Sequence, residues 1–145
     1  MNADHNPPAG FLPLTRSSPV LDLLGPLFVR GKGREMVLGF RVQAKHGNAR
    51  GILHGGIVAT LADVAMGYAI AFASEPPTPL LTANLTVDFA GAAAIGDWLE
   101  VRVDIQKRGA RLAFANCYVS KGDERIARAS AVFMVTEQGT ERIGG

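Results

Sequence analysis

The segment Gly56–Ala73 places the strongest constraint on the fold of this chain. It is rich in Ala, Leu, Met and Ile, and it is far longer than a typical strand of about 5–6 residues. These residues favour a helix, and Glu75, Pro76 and Pro77 end it because the position before a proline avoids helical geometry. The segment is apolar on nearly every side, so we expect a helix that is buried over most of its surface.

Alternating apolar and polar residues on both sides of this helix predict strands. One predicted strand precedes the helix and four follow it. They span Met36–Ala44, Leu81–Phe89, Leu99–Ile105, Leu112–Ser120 and Arg125–Val135. The last two connections are short enough for antiparallel hairpins. These pieces pack most simply as a curved antiparallel sheet wrapped around one long central helix, which is the α+β arrangement called the hotdog fold.

The length of 145 residues fits a single domain. Residues 1–13 have no period and several prolines, which predicts a flexible N-terminal tail, and residues 137–145 predict a flexible C-terminal tail. The domain would span residues 14–136. We expect it to begin with a short helix within Leu14–Leu24, with Ser18 as its cap.

Composition narrows the class of protein. The 15 basic and 13 acidic residues are spread along the chain, which argues against a nucleic-acid partner. Cys117 is the sole cysteine, so no internal disulfide can form, which favours a reducing compartment. The sequence shows neither a signal peptide nor the ~20 predominantly apolar residues of a membrane span. We therefore expect a soluble cytoplasmic protein with no membrane partner.

The predicted helix begins at a distinctive sequence, His54-Gly55-Gly56. The first backbone N–H groups of a helix have no internal partner and lie at the positive end of the helix dipole. Glycine lets a ligand approach that backbone closely, so this start suits a carbonyl oxygen that becomes an oxyanion. A tight turn into the helix is the structural alternative, and the two glycines alone leave it open.

Asp63 is the sole acid of the predicted helix. A buried carboxylate is unfavourable unless it is paired or functional. The side chain could therefore serve as a general base. A core Asp hydrogen-bonded to a neighbouring strand is the alternative interpretation.

Two further polar residues could take part in the same chemistry. Thr82 begins the polar face that Asn84, Thr86 and Asp88 continue, and its hydroxyl could orient a water molecule or the carboxylate on the helix. Asn48 lies just before the helix start. The alternatives are an ordinary β-branched strand residue for Thr82 and a turn residue for Asn48.

Together these residues resemble one family. The run Asn48…Gly51-x-x-His54-Gly55-Gly56…Ala59-Thr60-Leu61-x-Asp63 is similar to that of the hotdog-fold acyl-CoA thioesterases of the phenylacetate-degradation (PaaI-like) type. Weaker matches follow at Leu81-Thr82, Asp88-Phe89, Gly96-Asp97 and Arg108-Gly109-x-Arg111. The resemblance covers about residues 23–135, which is nearly the whole domain.

The resemblance implies a role for each residue of the motif. Asp63 would be the general base or the nucleophile that attacks the thioester. The Gly55 N–H would polarise the thioester carbonyl, and Asn48 would position the attacking water or the thioester. His54 would support that loop, and Thr82 would occupy the Ser/Thr position that helps to hold the water.

The resemblance also implies a CoA-binding surface. Lys107, Arg108 and Arg111 would contact the phosphates or the nucleotide end of CoA, although the same three residues fit a solvated hairpin turn. The family usually continues the second strand with an aromatic residue, a basic residue and a proline. This chain has Phe89 followed by Ala90 and Gly91, so it lacks the basic residue that would clamp a phosphate at that corner.

Other reaction classes lack their motifs. The sequence has no Gly-x-Ser-x-Gly nucleophile elbow, no Cys/His metal cluster and no Gly-rich dinucleotide or phosphate loop. We therefore expect no cofactor and no metal. Cys117 lies in the middle of a predicted strand, on the same face as Ala113, Ala115 and Val119, which indicates a core residue and not a nucleophile.

The sequence thus predicts an acyl-CoA thioesterase that releases a carboxylic acid and free CoA, with an aryl acyl group as a family-level expectation. Two alternatives remain because one fold hosts many functions. One is a binding module that senses acyl-CoA without hydrolysis, and it would be expected to carry a DNA-binding segment. The other is an acyl-thioester dehydratase that uses His54 and Asp63 as its acid/base pair.

A distance along the helix predicts that the active site is shared between two subunits. Gly55 and Asp63 are eight residues apart, which is roughly 12 Å at ~1.5 Å per residue. An attacking group must come within about 3.5 Å of the carbonyl carbon. Two antiparallel helices from two copies would bring Asp63 of one beside Gly55 of the other. The resemblance likewise implies a homodimer as the minimal active unit, with dimers paired into a homotetramer.

Overall fold

The computed structural model describes residues 6–137. The strands within these residues are β1 (Leu12–Pro13), β2 (Leu27–Arg30), β3 (Val37–Arg41), β4 (Leu80–Phe89), β5 (Trp98–Arg108), β6 (Leu112–Lys121) and β7 (Glu124–Val135). They form one sheet in the order β1-β2-β3-β5-β6-β7-β4, with each neighbouring pair antiparallel. The helices are α1 (Pro19–Leu24) and α2 (Gly55–Ala71). This is the predicted hotdog fold.

Helix α2 lies against the inner face of the sheet and forms the centre of the core. Its residues Ala62, Ala65, Met66 and Ile70 are fully buried. The sheet covers them with apolar side chains from several strands, among them Leu38, Phe40, Leu99, Val101 and Val119. Cys117 is buried in the same core, and burial raises the pKa of its thiol to about 12. Its prediction as an unreactive core residue agrees with this position.

The fold starts earlier in the chain than the sequence predicts. Residues 12 and 13, predicted as part of a flexible tail, pair with β2, and Phe11 is buried against the ring of Trp98. Gly39 makes this contact possible, because a Cβ at Gly39 would overlap the Trp98 ring. The predicted tail therefore ends before Phe11. Residues 1–5 and 138–145, including most of the predicted C-terminal tail, lie outside the described residues.

Helix α1 forms where the sequence predicts a short helix. Ser18 is its N-cap and accepts a hydrogen bond from the Leu21 N–H, and Pro19 occupies the first helical position. The connection after α1 leads directly into β2. No helix within residues 6–137 combines the length and apolar character that crossing a bilayer requires.

Strand β4 forms one edge of the sheet and contains a bulge that changes the direction of its side chains. Thr82 pairs with Phe133 and Asn84 pairs with Val132, so Ala83 is the extra residue. One extra residue exchanges the two faces of a strand. Thr82 therefore lies on the inner face beside α2, and its predicted place on the polar face with Asn84, Thr86 and Asp88 is wrong.

Candidate active site

The bulge in β4 brings Thr82 to Asp63. The Thr82 Oγ1 donates a hydrogen bond of 2.7 Å to the Asp63 Oδ1. Asp63 is half-buried on α2. Because a hydroxyl donates only one hydrogen, this bond fixes one carboxylate oxygen and leaves the other available to a ligand. The sequence allows the Thr82 hydroxyl to orient either a water molecule or the carboxylate, and the structure shows it bonded to the carboxylate.

Asp63 and Thr82 lie at one end of a cleft of about 680 Å³ between α2 and the beginning of β4. The walls are mainly apolar. They include Val64, Gly67, Tyr68, Ala71, Phe72, Leu80 and Phe133. A cavity of this size is within the range that binds small organic ligands. Asp63 is the one carboxylate among its lining residues.

The start of α2 carries a second group of polar atoms, separate from the cleft. His54 is the N-cap, and its Nδ1 accepts the Gly56 N–H at 2.9 Å. The Gly55 N–H donates no hydrogen bond to any atom of residues 6–137. His54 therefore caps the helix start and leaves the Gly55 N–H free at the positive end of the helix dipole.

Asn48 holds the loop that precedes this helix start. Its Oδ1 accepts the N–H groups of Arg50 at 2.9 Å and Ile52 at 3.2 Å, and its own backbone N–H donates to the Ile52 carbonyl at 2.7 Å. This is the turn role that the sequence pattern indicates as the alternative for Asn48. Within the described part of the chain the Nδ2 group donates no hydrogen bond, so it remains free for a ligand.

Asn48 and Gly55 share a smaller cavity of about 210 Å³, which Phe89 also lines. The ring of Phe89 covers the helix start closely, since a Cβ at Gly55 would lie 3.3 Å from the Phe89 Cζ. The side chain is nevertheless 56% exposed. The sequence pattern gives Phe89 no role in the site, because only the fold brings the end of β4 to the start of α2.

Four of the five predicted catalytic residues thus line two separate cavities in one chain, and the fifth, His54, lines neither of them. Asp63 and Thr82 line the larger one, whereas Asn48 and Gly55 line the smaller one. Neither cavity contains both the Asp63 carboxylate and the free Gly55 N–H group, and we call each cavity with its polar residues a half-site.

The three basic residues predicted to contact CoA line neither cavity. Arg108 is half-buried and donates hydrogen bonds to the hydroxyls of Ser74 and Thr78. It therefore holds the connection between α2 and β4. Lys107 and Arg111 are exposed at the hairpin between β5 and β6.

A buried imidazole supports the loop behind the Gly55 half-site. His46 is fully buried. Its Nδ1 accepts the Gln43 N–H at 2.9 Å, and its Nε2 lies 2.7 Å from the Leu24 carbonyl. The His46 carbonyl in turn accepts the His54 N–H at 2.9 Å. Burial is the main cause that lowers the pKa of His46, and the nearby Lys45 charge lowers it further, against the Leu24 hydrogen bond.

We expect the stability of the fold to decline as the pH falls through the range in which unfolded His46 takes up a proton. Because the pKa of His46 is lower in the folded chain than in the unfolded chain, the unfolded chain takes up the proton first as the pH falls, near pH 6.5. The His46 contribution is therefore complete above that pH and is lost below it, by at most about 1.4 kcal/mol per pH unit. Urea unfolding of wild type and His46→Asn between pH 7.5 and 5.5 would measure this. A slope that is unchanged in the variant would contradict the assignment.

The described residues contain no cluster of three His, Cys, Asp or Glu side chains that could hold a metal ion. The groups placed to act on a bound carbonyl are the Asp63 carboxylate with its Thr82 hydroxyl, and the Asn48 amide with the Gly55 N–H.

Comparisons with known proteins identify the family of the chain. The Thioesterase superfamily profile matches residues 50–127, which include α2 and most of the sheet. The chain is 51% identical over 129 residues to PA0474 of Pseudomonas aeruginosa, which is named as a candidate esterase, and the match covers 88% of this chain and 96% of that protein. It is also 30% identical over 82 residues to acyl-coenzyme A thioesterase 13 of the mouse, covering 57% of this chain and 58% of the relative.

A solved structure supports the fold independently. The Escherichia coli PaaI protein, from the phenylacetic acid degradation operon, superposes with a TM-score of 0.74. The superposition covers 83% of this chain and 86% of PaaI, at 19% sequence identity. The family profile and the Pseudomonas relative carry the assignment further than the fold alone: the chain belongs to the thioesterase superfamily and is a thioester hydrolase with a hotdog fold.

Proposed function

We propose that the chain hydrolyses acyl-CoA thioesters to the free carboxylic acid and CoA, with Asp63 as the general base or nucleophile. The hydrogen bond from Thr82 to Asp63, at the end of a largely apolar cleft, is the observation that carries this proposal. A polar pair directed into an apolar cavity fits an acyl group in the cavity and a reacting carbonyl at the pair. A hydroxyl on one carboxylate oxygen leaves the other oriented for reaction.

The groups of the second half-site complete this chemistry. The free Gly55 N–H would donate to the carbonyl oxygen as negative charge develops there, and the Asn48 Nδ2 would hold the water or the thioester. As a general base, Asp63 takes the proton of a water molecule while the water oxygen bonds to the carbonyl carbon. As a nucleophile, Asp63 bonds to that carbon itself. In the general-base route the C–S bond then breaks, and the proton held by Asp63 passes to the sulfur, so that CoA leaves as its thiol. In the nucleophile route the C–S bond breaks to leave an anhydride between the acyl group and Asp63, and the CoA thiolate takes a proton from water. A water molecule then hydrolyses the anhydride, which releases the carboxylic acid and restores the Asp63 carboxylate.

Edge strand β4 explains how a second copy would unite the two half-sites. Thr82 and Phe89 are seven residues apart on β4, which is about 24 Å at ~3.4 Å per residue. Thr82 marks the Asp63 half-site and Phe89 marks the Gly55 half-site. If β4 pairs antiparallel with β4 of a second copy around a two-fold axis near residues 85–86, Thr82 of each chain meets the Phe89 end of the other.

The character of this edge fits such a pairing. β4 is ten residues long, and within the described residues it pairs only with β7. Leu81 is 51% exposed and Phe89 is 56% exposed. A long apolar edge strand that is left unpaired invites pairing with another chain. A homodimer built through β4 is therefore the minimal active unit in our proposal.

The outer face of the sheet offers a second surface. Leu81, Met134 and Leu112 are cross-strand neighbours on β4, β7 and β6, and all three are exposed. This patch exists because the bulge at Ala83 turns Leu81 outward. Contact between two such patches would pair dimers into the proposed homotetramer.

The cleft and the surface suggest where each part of the substrate lies. The rings of Tyr68, Phe72 and Phe133 line the cleft, which supports an aryl or extended apolar acyl group. Lys107 and Arg111 are exposed and remain our candidates for the CoA phosphates. Arg108 is already engaged with two hydroxyls, so its predicted contact with CoA is the weakest of the three.

Release of free thiol from a panel of aromatic, short-chain and long-chain acyl-CoAs tests the function. We expect release with at least one class. Tight binding of acyl-CoA without thiol release from any member would support the sensing alternative. Reversible loss of water from a 3-hydroxyacyl-CoA, with no thiol release, would support the dehydratase alternative.

A substitution at Thr82 tests its positioning role. Thr82→Val removes the hydroxyl that bonds the Asp63 carboxylate but keeps the shape of the side chain. We expect kcat to fall less than it does in Asp63→Asn, with KM nearly unchanged, while Thr82→Ser keeps most of the activity. Steady-state kinetics of the three variants measure this. Wild-type kcat in Thr82→Val would show that the residue is only structural.

A further inference from the structure

The cleft that begins at Asp63 has opposite charge at its other end. Arg16 lines that end, and its guanidinium carbon lies 5.1 Å from the centre of the Phe72 ring. No carboxylate of residues 6–137 lies within ion-pair distance of Arg16. The cleft therefore has its carboxylate at one end and an unpaired cation at the other.

A second cation increases the positive potential at this end. Arg108 hydrogen-bonds to Thr78, which lines the cleft near Phe72. The same guanidinium donates to Ser74 at 2.8 Å. Both partners of Arg108 are neutral hydroxyls, so its charge is not cancelled by either of them.

The distance between the two ends of the cleft follows from the rise along α2. Asp63 and Phe72 are nine residues apart along α2 and its C-cap, which is roughly 13.5 Å at ~1.5 Å per residue. A reacting carbonyl carbon lies within about 3.5 Å of the attacking group, and a carboxylate bonded to guanidinium lies about 2.8 Å from its nitrogen. The intervening acyl group would therefore extend over about 7–9 Å, or roughly six to seven carbon–carbon bonds of ~1.52 Å in a zigzag chain.

We propose that the far end of the cleft recognises a second carboxylate, so that the preferred acyl group is that of a dicarboxylic acid joined to CoA through one of its carboxyl groups. Arg16 is the specificity-determining residue, and Arg108 adds positive potential from behind Thr78. The proposal rests on the proposed thioesterase function, since it assumes that the thioester lies at Asp63. Guanidinium recognises a carboxylate through paired hydrogen bonds that an apolar chain end cannot make.

Matched substrates of equal carbon number test this recognition. Suberyl-CoA carries an eight-carbon acyl group with a terminal carboxylate, and octanoyl-CoA carries the same number of carbons with a terminal methyl. We expect wild type to show a higher kcat/KM for suberyl-CoA. Arg16 is exposed, so in Arg16→Gln the ratio of the two kcat/KM values should fall only about tenfold, which is the loss expected for one solvent-screened charged hydrogen bond. Arg16→Lys should keep part of the preference.

Two controls separate this effect from a change in overall charge or in CoA binding. Arg102→Gln removes the same charge from an exposed residue of β5 that pairs with Glu100, and it should leave the ratio unchanged. Succinyl-CoA and butyryl-CoA are too short to reach Arg16 from Asp63, so their ratio should not respond to Arg16→Gln. Equal losses on suberyl-CoA and octanoyl-CoA would overturn the proposal, because Arg16 would then act on CoA or on the cleft wall.

A binding measurement keeps the test independent of turnover. Calorimetric titration of Asp63→Asn should give tighter binding of suberyl-CoA than of octanoyl-CoA, with the difference lost in Asp63→Asn combined with Arg16→Gln. Equal affinities in the Asp63→Asn protein would overturn the dicarboxylate proposal even if wild type hydrolyses both substrates. Failure of wild type to hydrolyse any acyl-CoA would instead reject the thioesterase function, and the binding difference would still decide what the cleft recognises.

Discussion

Asp63→Asn is expected to lower kcat by at least ~10²-fold, because it removes the one carboxylate that lines the main cleft. Asn keeps the size of the side chain and still offers an oxygen to the Thr82 hydroxyl, which bonds the Asp63 Oδ1 at 2.7 Å in wild type. The amide, however, cannot take a proton from water or form a stable bond to the carbonyl carbon. Thiol release by the purified variant, measured on the best substrate of the panel, checks this prediction.

Asp104→Asn is the matched control. Asp104 is an exposed acid on β5 that lines neither cavity, so its loss should leave kcat near wild type. Far-UV circular dichroism and thermal unfolding of both variants establish that folding is intact. If Asp63→Asn folds normally and turns over at a rate close to wild type, Asp63 is neither the base nor the nucleophile.

Sequence alone predicts the elements that have a long, regular pattern of apolar residues. Helix α2 is apolar on nearly every side and long enough to be distinguished from a strand. Strands β5, β6 and β7 are ten residues or longer, and apolar and polar residues alternate along most of each strand. These elements were predicted to within a few residues at each end. These elements also define the architecture, because the sheet can bury its apolar face only by wrapping around the one long buried helix.

Short elements held by distant partners were not predicted. β2 has four residues and β1 has two, too few to show an alternation. Both depend on pairing with β3 or with each other. The predicted strand Met36–Ala44 also overshoots, because residues 44–46 turn into a 3-10 helix that buries His46. Such features are decided by tertiary contacts, which local patterns do not contain.

The bulge at Ala83 shows why the sequence pattern places Thr82 on the wrong face. Leu81, Thr82 and Ala83 alternate regularly in the sequence, so nothing in the pattern reveals an extra residue. The pairing of β4 with β7 introduces it and turns Thr82 toward α2. The residue types of the site were thus readable from the motif, whereas the Thr82–Asp63 bond and the contact of Phe89 with the helix start required the fold.

Mixing two inactive variants is expected to restore activity if the site is shared. In our proposal, Asp63 of one chain works with Asn48 and Gly55 of the other, because these residues line different cavities of a single chain. Asp63→Ala and Asn48→Ala subunits are mixed in equal amounts, unfolded and refolded together. Half of the dimers should be mixed under random pairing about a two-fold axis. Each mixed dimer has one doubly damaged and one intact site, so about a quarter of wild-type activity should return.

The Thr82–Asp63 bond supplies the control for this experiment. Both residues belong to the same half-site of one chain. In a mixture of Asp63→Ala and Thr82→Val subunits, each site of a mixed dimer therefore carries one defect and none is intact. Its activity should not exceed the mean of the two parents. Native mass spectrometry checks that mixed dimers have formed. If they have formed and the mixture of Asp63→Ala and Asn48→Ala still recovers no activity, each chain builds its site alone. Gly55 would then lie too far from Asp63 to polarise the same carbonyl.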